Sequence, residues 1–266
     1  MRRVVFNQKG GVGKTSITCN LAAIDAQVGY RTLVIDLDVQ GNTTHYLVGE
    51  IDAEAFPAEA QGVAGLFRQT VGSRRMRQNP DSFVWETPYP DLYLMPSSPV
   101  LSQLEKELES RYKIYKLRDA LAKLADEYDR VYIDTPPNFN FYSKSALIAA
   151  DALLIPFDCD SFARQSLYAL MDNIAELQED HNPDLEVEGI VINQFNAQAR
   201  LPTELVDELR AEGFPVLDQY LNSSVKMRES HHEMRPLINL APSHKLTQAY
   251  VALHDRLEKG LKKRRR

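Results

Sequence analysis

The chain predicts an α/β fold, a mostly parallel twisted sheet with helices on both faces, and three observations carry that expectation. First, short apolar runs around Val4, Val5 and Phe6, at Thr32 to Asp36 (TLVID), at Arg130 to Asp134 (RVYID) and at Ala152 to Phe157 (ALLIPF) read as strands buried on both sides. Second, the segments between them carry apolar residues three and four apart, the period of a helix packed on one face. Third, the first three runs end in turns rich in glycine or aspartate, at the sheet edge where open parallel sheets place ligands. The chain has 266 residues, 44% of them apolar, enough for one sizeable core.

Residues 2–7 form the first expected strand and 14–28 the first helix, with Ile17, Asn20, Leu21, Ile24 and Val28 as its stripe and Gly29 as its stop. Between them lies Asn-Gln-Lys-Gly-Gly-Val-Gly-Lys-Thr-Ser, residues 7–16. Glycines let a backbone approach an anion closely, and the exposed N–H groups of a helix start favour negative charge. Gly10, Gly11, Val12, Gly13, Lys14, Thr15 and Ser16 therefore read as a phosphate cradle. Lys14 is the cation for the β- and γ-phosphates, and the Thr15 hydroxyl suits Mg²⁺. The common pattern GxxxxGK[ST] would need glycine at position 8, where this chain has Gln8, and a second lysine, Lys9, stands at the loop entrance.

With its two lysines, the loop KGGVGKT resembles that of the ParA/MinD family, the deviant Walker-A P-loop ATPases. The resemblance implies that Lys9 reaches a partner's nucleotide in trans while Lys14 acts in cis. Strand 32–36 runs into Asp36-Leu37-Asp38-Val39-Gln40-Gly41-Asn42-Thr43-Thr44, which matches the family's next signature, its switch I. By that match Asp38 orients or activates the attacking water, and Asp36 supports the Mg²⁺ shell or the loop. Strand 130–134 ends in Asp134-Thr135-Pro136-Pro137, the family's DxPP at the start of switch II, with Asp134 holding Mg²⁺. Asn193, closing an expected strand at 187–193, matches the place where relatives read the adenine edge.

Elsewhere the reading is plainer. Residues 50–90 align with no motif. Val63, Leu66 and Phe67 suggest a short helix there, Arg68, Arg74, Arg75 and Arg77 form a basic cluster, and Trp85 sits in an expected strand, SFVWE, as a core residue. Residues 91–95 read as a strand. Leu101, Leu104 and Leu108, then Ile114 through Tyr128, read as two helices. Ser161 is expected to cap a helix over 162–178, with Arg164 pairing with phosphate or Asp160. Adjacent histidines at 231 and 232 point differently on a helix and make no metal pair. The last helix, about 244–260, carries Leu246, Tyr250, Leu253, Leu257 and Leu261, and Gly260 is expected to interrupt it.

The net charge of −6 argues against a generally basic nucleic-acid binder, so DNA attraction must be local. The resemblance implies basic residues after the strand at 187–193 and before the last helix, where the candidates are Arg200, Lys226, Arg228 and Arg235; a basic tail at 262–266 follows an expected single domain at 1–261. Cys19 and Cys159 have no metal-ligand spacing and read as free thiols of a reducing cytoplasm. No run of apolar residues is long enough for a membrane-spanning helix, and with the first strand at residue 2 no cleavable leader is expected.

The resemblance implies ATP and Mg²⁺ as cofactors and a homodimer in the ATP state. It further implies non-specific DNA binding at the nucleoid and a cargo-linked protein that stimulates hydrolysis. Such a cycle positions or partitions a plasmid, a chromosome or a large protein assembly. One rival is a membrane-surface positioning ATPase, as in the MinD branch, with the last helix and the tail on lipid. Another is a metal-cluster ATPase, for which the two cysteines are poorly placed.

Overall fold

The computed structural model describes residues 1–49, 61–71, 78–159, 163–195 and 200–264. Among these the strands are β1 Arg2–Val5, β2 Thr32–Asp36, β3 Trp85–Glu86, β4 Leu92–Met95, β5 Arg130–Asp134, β6 Ala152–Phe157, β7 Glu186–Phe195 and β8 Leu221–Asn222. They form one sheet in the order β3-β4-β2-β5-β1-β6-β7-β8. Every pairing is parallel except that of β3 with β4. Because β1 lies between β5 and β6, the chain runs to opposite sides of β1, and the crevice at that reversal is where such sheets bind ligands.

The helices are α1 Lys14–Gln27, α2 Asn42–Val48, α3 Gly62–Val71, α4 Leu101–Ser110, α5 Lys116–Lys123, α6 Phe141–Ala149, α7 Ala163–Asp180, α8 Arg200–Ala211, α9 Val225–His232, α10 Leu237–Leu240 and α11 Lys245–Arg264. Strand side chains alternate between two layers, as the pleat requires. Val4, Phe6, Leu33, Ile35, Ile133 and Ile155 pack with residues of α3 to α8. Val5, Val34, Tyr132, Leu154 and Val191 pack beneath α1 and α11. None of the described helices is long and apolar enough to cross a membrane.

Several expectations change. The strand at 82–86 shrinks to β3, after a 3₁₀ turn at Pro80–Phe83, and Trp85 is half-buried at the sheet edge rather than in the core. Val28, the last member of the α1 stripe, is 60% exposed because it already belongs to the helix end. Gly29 does stop that helix, at φ +96°, with its N–H on the Ala26 carbonyl.

Gly260 does not interrupt α11, which continues to Arg264 and takes in part of the basic tail. One helical glycine costs about 1 kcal/mol, and buried Leu246, Tyr250, Leu253 and Leu257 anchor the helix ahead of it. Arg164 pairs with Glu208 at 2.7 Å and with Glu212, which staples α7 to α8 rather than serving phosphate. Ser161, Asp160, Arg74, Arg75 and Arg77 lie outside the described residues.

Candidate nucleotide site

The loop after β1 is shaped by its own glycines and by the strands beside it. Gly13 has φ +93° and directly precedes α1, and a Cβ there would run into the Asn193 side chain. Asn193 Nδ2, at the end of β7, donates to the Val12 carbonyl at 2.8 Å, and Gln194 Nε2 donates to that of Gly11 at 2.8 Å. From β6, the Pro156 carbonyl accepts from Asn7 Nδ2 at 2.7 Å, while Asn7 Oδ1 accepts the Lys9 N–H at 2.9 Å. The loop is thus braced on two strands, and the first turn of α1 presents N–H groups that its own helix cannot satisfy.

Lys14 is buried, and its Nζ donates to the Lys9 carbonyl at 3.0 Å. Burial lowers its pKa, opposed by the charges of Asp134 and Asp38. Lys9 points to the rim, with Nζ 3.7 Å from Asp158 Oδ2, just past β6.

The two motif carboxylates meet because β2 and β5 are adjacent and in register, with Asp36 opposite Asp134. Thr15 Oγ1 and Thr43 Oγ1 each donate to Asp134 Oδ2 at 2.7 Å. Asp134 Oδ1 is buried and has no partner. Two hydroxyls and a carboxylate oxygen without a donor form a hard-oxygen set that fits Mg²⁺.

Asp36 is engaged differently. Its Oδ2 accepts from the Thr44 N–H at 2.8 Å and Oγ1 at 2.6 Å, and its Oδ1 accepts the Asp38 N–H at 3.1 Å. Its bonds therefore all hold the loop leading into α2. Burial, and then the neighbouring Asp134 charge, raise the Asp36 pKa; burial likewise raises that of Asp134. Asp38 is half-buried. Its Oδ1 accepts the Gln40 N–H at 3.0 Å and its carbonyl accepts from Ser97 Oγ at 2.5 Å.

A cavity of about 380 Å³ adjoins the loop, lined among others by Gly11, Ser16, Asn193, Arg228, His231 and Tyr250. Arg228, expected on a DNA-facing surface, stands on this wall. Lys226 pairs with Glu229, and Arg235 donates to the Asn239 carbonyl at 2.8 Å. Arg200 begins α8, and its side chain lies outside the described residues. The expected list lacked Thr43, Asp158 and His231. Thr43 could have been found as the first hydroxyl after the aspartate motif; nothing in sequence marks the other two.

Over 259 residues the chain is 32% identical to the chromosome partitioning protein ParA of Myxococcus xanthus, a match covering 96% of this chain and 87% of that protein. The chain belongs to the ParA-like P-loop ATPases. A family model described as an AAA domain matches residues 3–187. Another ParA-like relative, the cell division protein PomZ of M. xanthus, is 30% identical over 260 residues, covering 96% of this chain and 77% of its own. Among solved structures, cobyrinic acid a,c-diamide synthase from Mycobacterium smegmatis, with bound ADP and magnesium, aligns with a TM-score of 0.82 at 25% identity. That alignment covers 98% of this chain and 95% of the other. The match to the Myxococcus ParA therefore extends over nearly the whole chain.

Proposed function

We propose that this ParA-like ATPase binds Mg·ATP at the β1–α1 loop, dimerises around it, and in that state binds DNA without sequence preference. A cargo-linked partner then stimulates hydrolysis and releases the DNA, so that the cycle positions a chromosome, plasmid or protein assembly. The observation that carries the nucleotide site is the Asp134 carboxylate, with Thr15 and Thr43 on one oxygen and nothing on the other.

In this reading Lys14 and the N–H groups of the first α1 turn bind the β- and γ-phosphates. Thr15, Thr43 and Asp134 would hold Mg²⁺, which would supply neutralisation of phosphate charge. Asp36 keeps the preceding loop in place through Thr44, and Asp38 orients water at the open side. Lys9 stands at the rim, 3.7 Å from Asp158, and in the dimer it exchanges that carboxylate for the partner's phosphate. The base and ribose occupy the adjoining cavity, against Asn193. Cytoplasmic, nucleoid-associated action follows from the DNA-bound state. Lys226, Arg228 and Arg235, together with Arg200 at the start of α8, are the cations that meet DNA in this reading.

The test is binding to random-sequence duplex DNA with ATP, with ADP and with Lys14→Ala, at two salt concentrations. Binding with ATP alone, abolished by the substitution and falling steeply with salt, is expected of phosphate contacts. Absence of binding under every nucleotide would overturn the DNA step and leave the nucleotide site standing.

A further inference from the structure

One contact in the cavity wall has no part in the scheme above. Ser16, in the first turn of α1, has its Oγ 2.9 Å from His231 Nε2 at the end of α9. The imidazole is held in place from other sides. It packs edge-on against the Tyr46 ring, centroids 5.0 Å apart at 86°. The Tyr46 hydroxyl accepts from Asn20 Nδ2 at 3.2 Å and is hydrogen-bonded to Ser230. Asn20 Oδ1 accepts the Leu237 N–H at 2.8 Å, which closes α10 onto α1. The segment from Ser230 to Leu237 is thus tied to α1 and α2 at residues flanking the histidine.

We propose that His231 is a positioning residue for the nucleotide. It accomplishes this by orienting the Ser16 hydroxyl toward the phosphate nearest the base, the α-phosphate of a nucleoside di- or triphosphate. This rests on the phosphates lying along residues 10–16 with the base in the adjoining cavity. A serine hydroxyl has one proton to give and phosphate oxygens accept, so a nucleotide at the helix start takes that proton. The serine oxygen is then left as an acceptor, and His231 Nε2–H fills it. Ser16 is buried, and its hydroxyl is fully partnered only when nucleotide and His231 lie on its two sides, which a buried polar group requires. Nucleotide binding in this way fastens α9, which carries Lys226 and Arg228, to α1.

The test is the affinity of fluorescently labelled ADP and ATP for His231→Ala, His231→Gln, Ser16→Ala, the Ser16→Ala/His231→Ala double variant and Lys14→Ala. His231→Ala should weaken both nucleotides by up to about tenfold, the effect of losing the one hydrogen bond that orients the serine. His231→Gln, whose amide N–H reaches a similar point, should restore most of that affinity. The double variant should bind no more weakly than Ser16→Ala alone, since the histidine acts through the serine. Wild-type affinity in His231→Ala, full additivity in the double variant, or failure of glutamine to restore binding would each overturn the proposal. Lys14→Ala separates the two readings. If it too binds as wild type, the nucleotide site itself is wrong; if it alone loses binding, only the role of His231 falls.

Discussion

Two polar clusters lie at the two ends of α1 and follow opposite rules. At its last turns, Asp25 accepts from the Tyr132 hydroxyl at 2.6 Å and is 2.8 Å from His254 Nε2. Arg3, 1% exposed, donates to Glu188 at 2.6 and 3.0 Å and to Tyr132 at 2.6 Å, and Arg130 donates to Glu258 at 2.9 Å. Three carboxylates face two guanidinium groups and one imidazole, so this cluster is neutral when His254 is protonated. Its two unbonded atoms, Arg130 Nε and Glu258 Oε1, belong to side chains already paired with each other.

At the first turn of α1 the balance is left open. Asp134 and Asp36 face each other across two strands, Lys14 turns its ammonium to a carbonyl, and one carboxylate oxygen has no donor. The first cluster balances its own charges and holds α1, α11 and the sheet together. The second is short of a cation, which is the condition of a binding site rather than of a structural joint.

The contrast breaks first at Arg3. Arg3→Ala leaves Glu188 buried without its guanidinium, and denaturant unfolding should register a loss of roughly 3–5 kcal/mol. A loss of under about 1 kcal/mol, typical of an exposed pair, would mean that this cluster is not the structural joint described.

Asp134→Asn should act in the opposite direction. It removes a buried charge next to Asp36 while keeping an oxygen for Thr15 and Thr43. The nucleotide-free protein should therefore gain about 1 kcal/mol, seen as a melting temperature roughly 2–4 °C higher. A destabilised variant would show that the open end contributes to the fold after all.

The smallest effect sharpens the contrast by pH. Burial alone would lower the His254 pKa, but the hydrogen bond and charge of Asp25, with Glu258 behind them, outweigh burial and raise it. A raised folded pKa favours folding fully below the unfolded value of about 6.5. That contribution is lost as pH rises through the folded value. Wild type should therefore lose stability on alkalinisation through this window by under about 1 kcal/mol more than His254→Gln does. Parallel pH profiles would detach His254 from the balance.

The open end was far more legible in sequence than the closed one. Residues 9–16, 36–44 and 134–137 each sit at a strand end, where local spacing alone brings glycine, hydroxyl and carboxylate groups to one edge. The strands themselves were readable because burial on both faces leaves unbroken apolar runs such as TLVID and ALLIPF. The closed cluster joins Arg3, Asp25, Tyr132, Glu188 and His254, whose partners are more than a hundred residues apart, and its carboxylates, guanidinium and imidazole taken singly each resemble a surface charge.

α6 left no stripe to read, because Phe141 to Ala149 are buried on nearly every side; only the Asn140 and Ser143 capping box marks its start. The same tertiary blindness explains His231. Its neighbour His232 suggested a metal pair to be dismissed, whereas its partner is Ser16, on another helix.

The most direct test of the account is the binding of ATP, with Mg²⁺ and with a chelator, to wild type and to Asp134→Asn. Tight binding by wild type only with Mg²⁺, and weak binding by the variant that Mg²⁺ does not improve, is the predicted result. Equal Mg²⁺ dependence in the two proteins would contradict it, since the unpartnered oxygen at Asp134 would then not be where the cation is held.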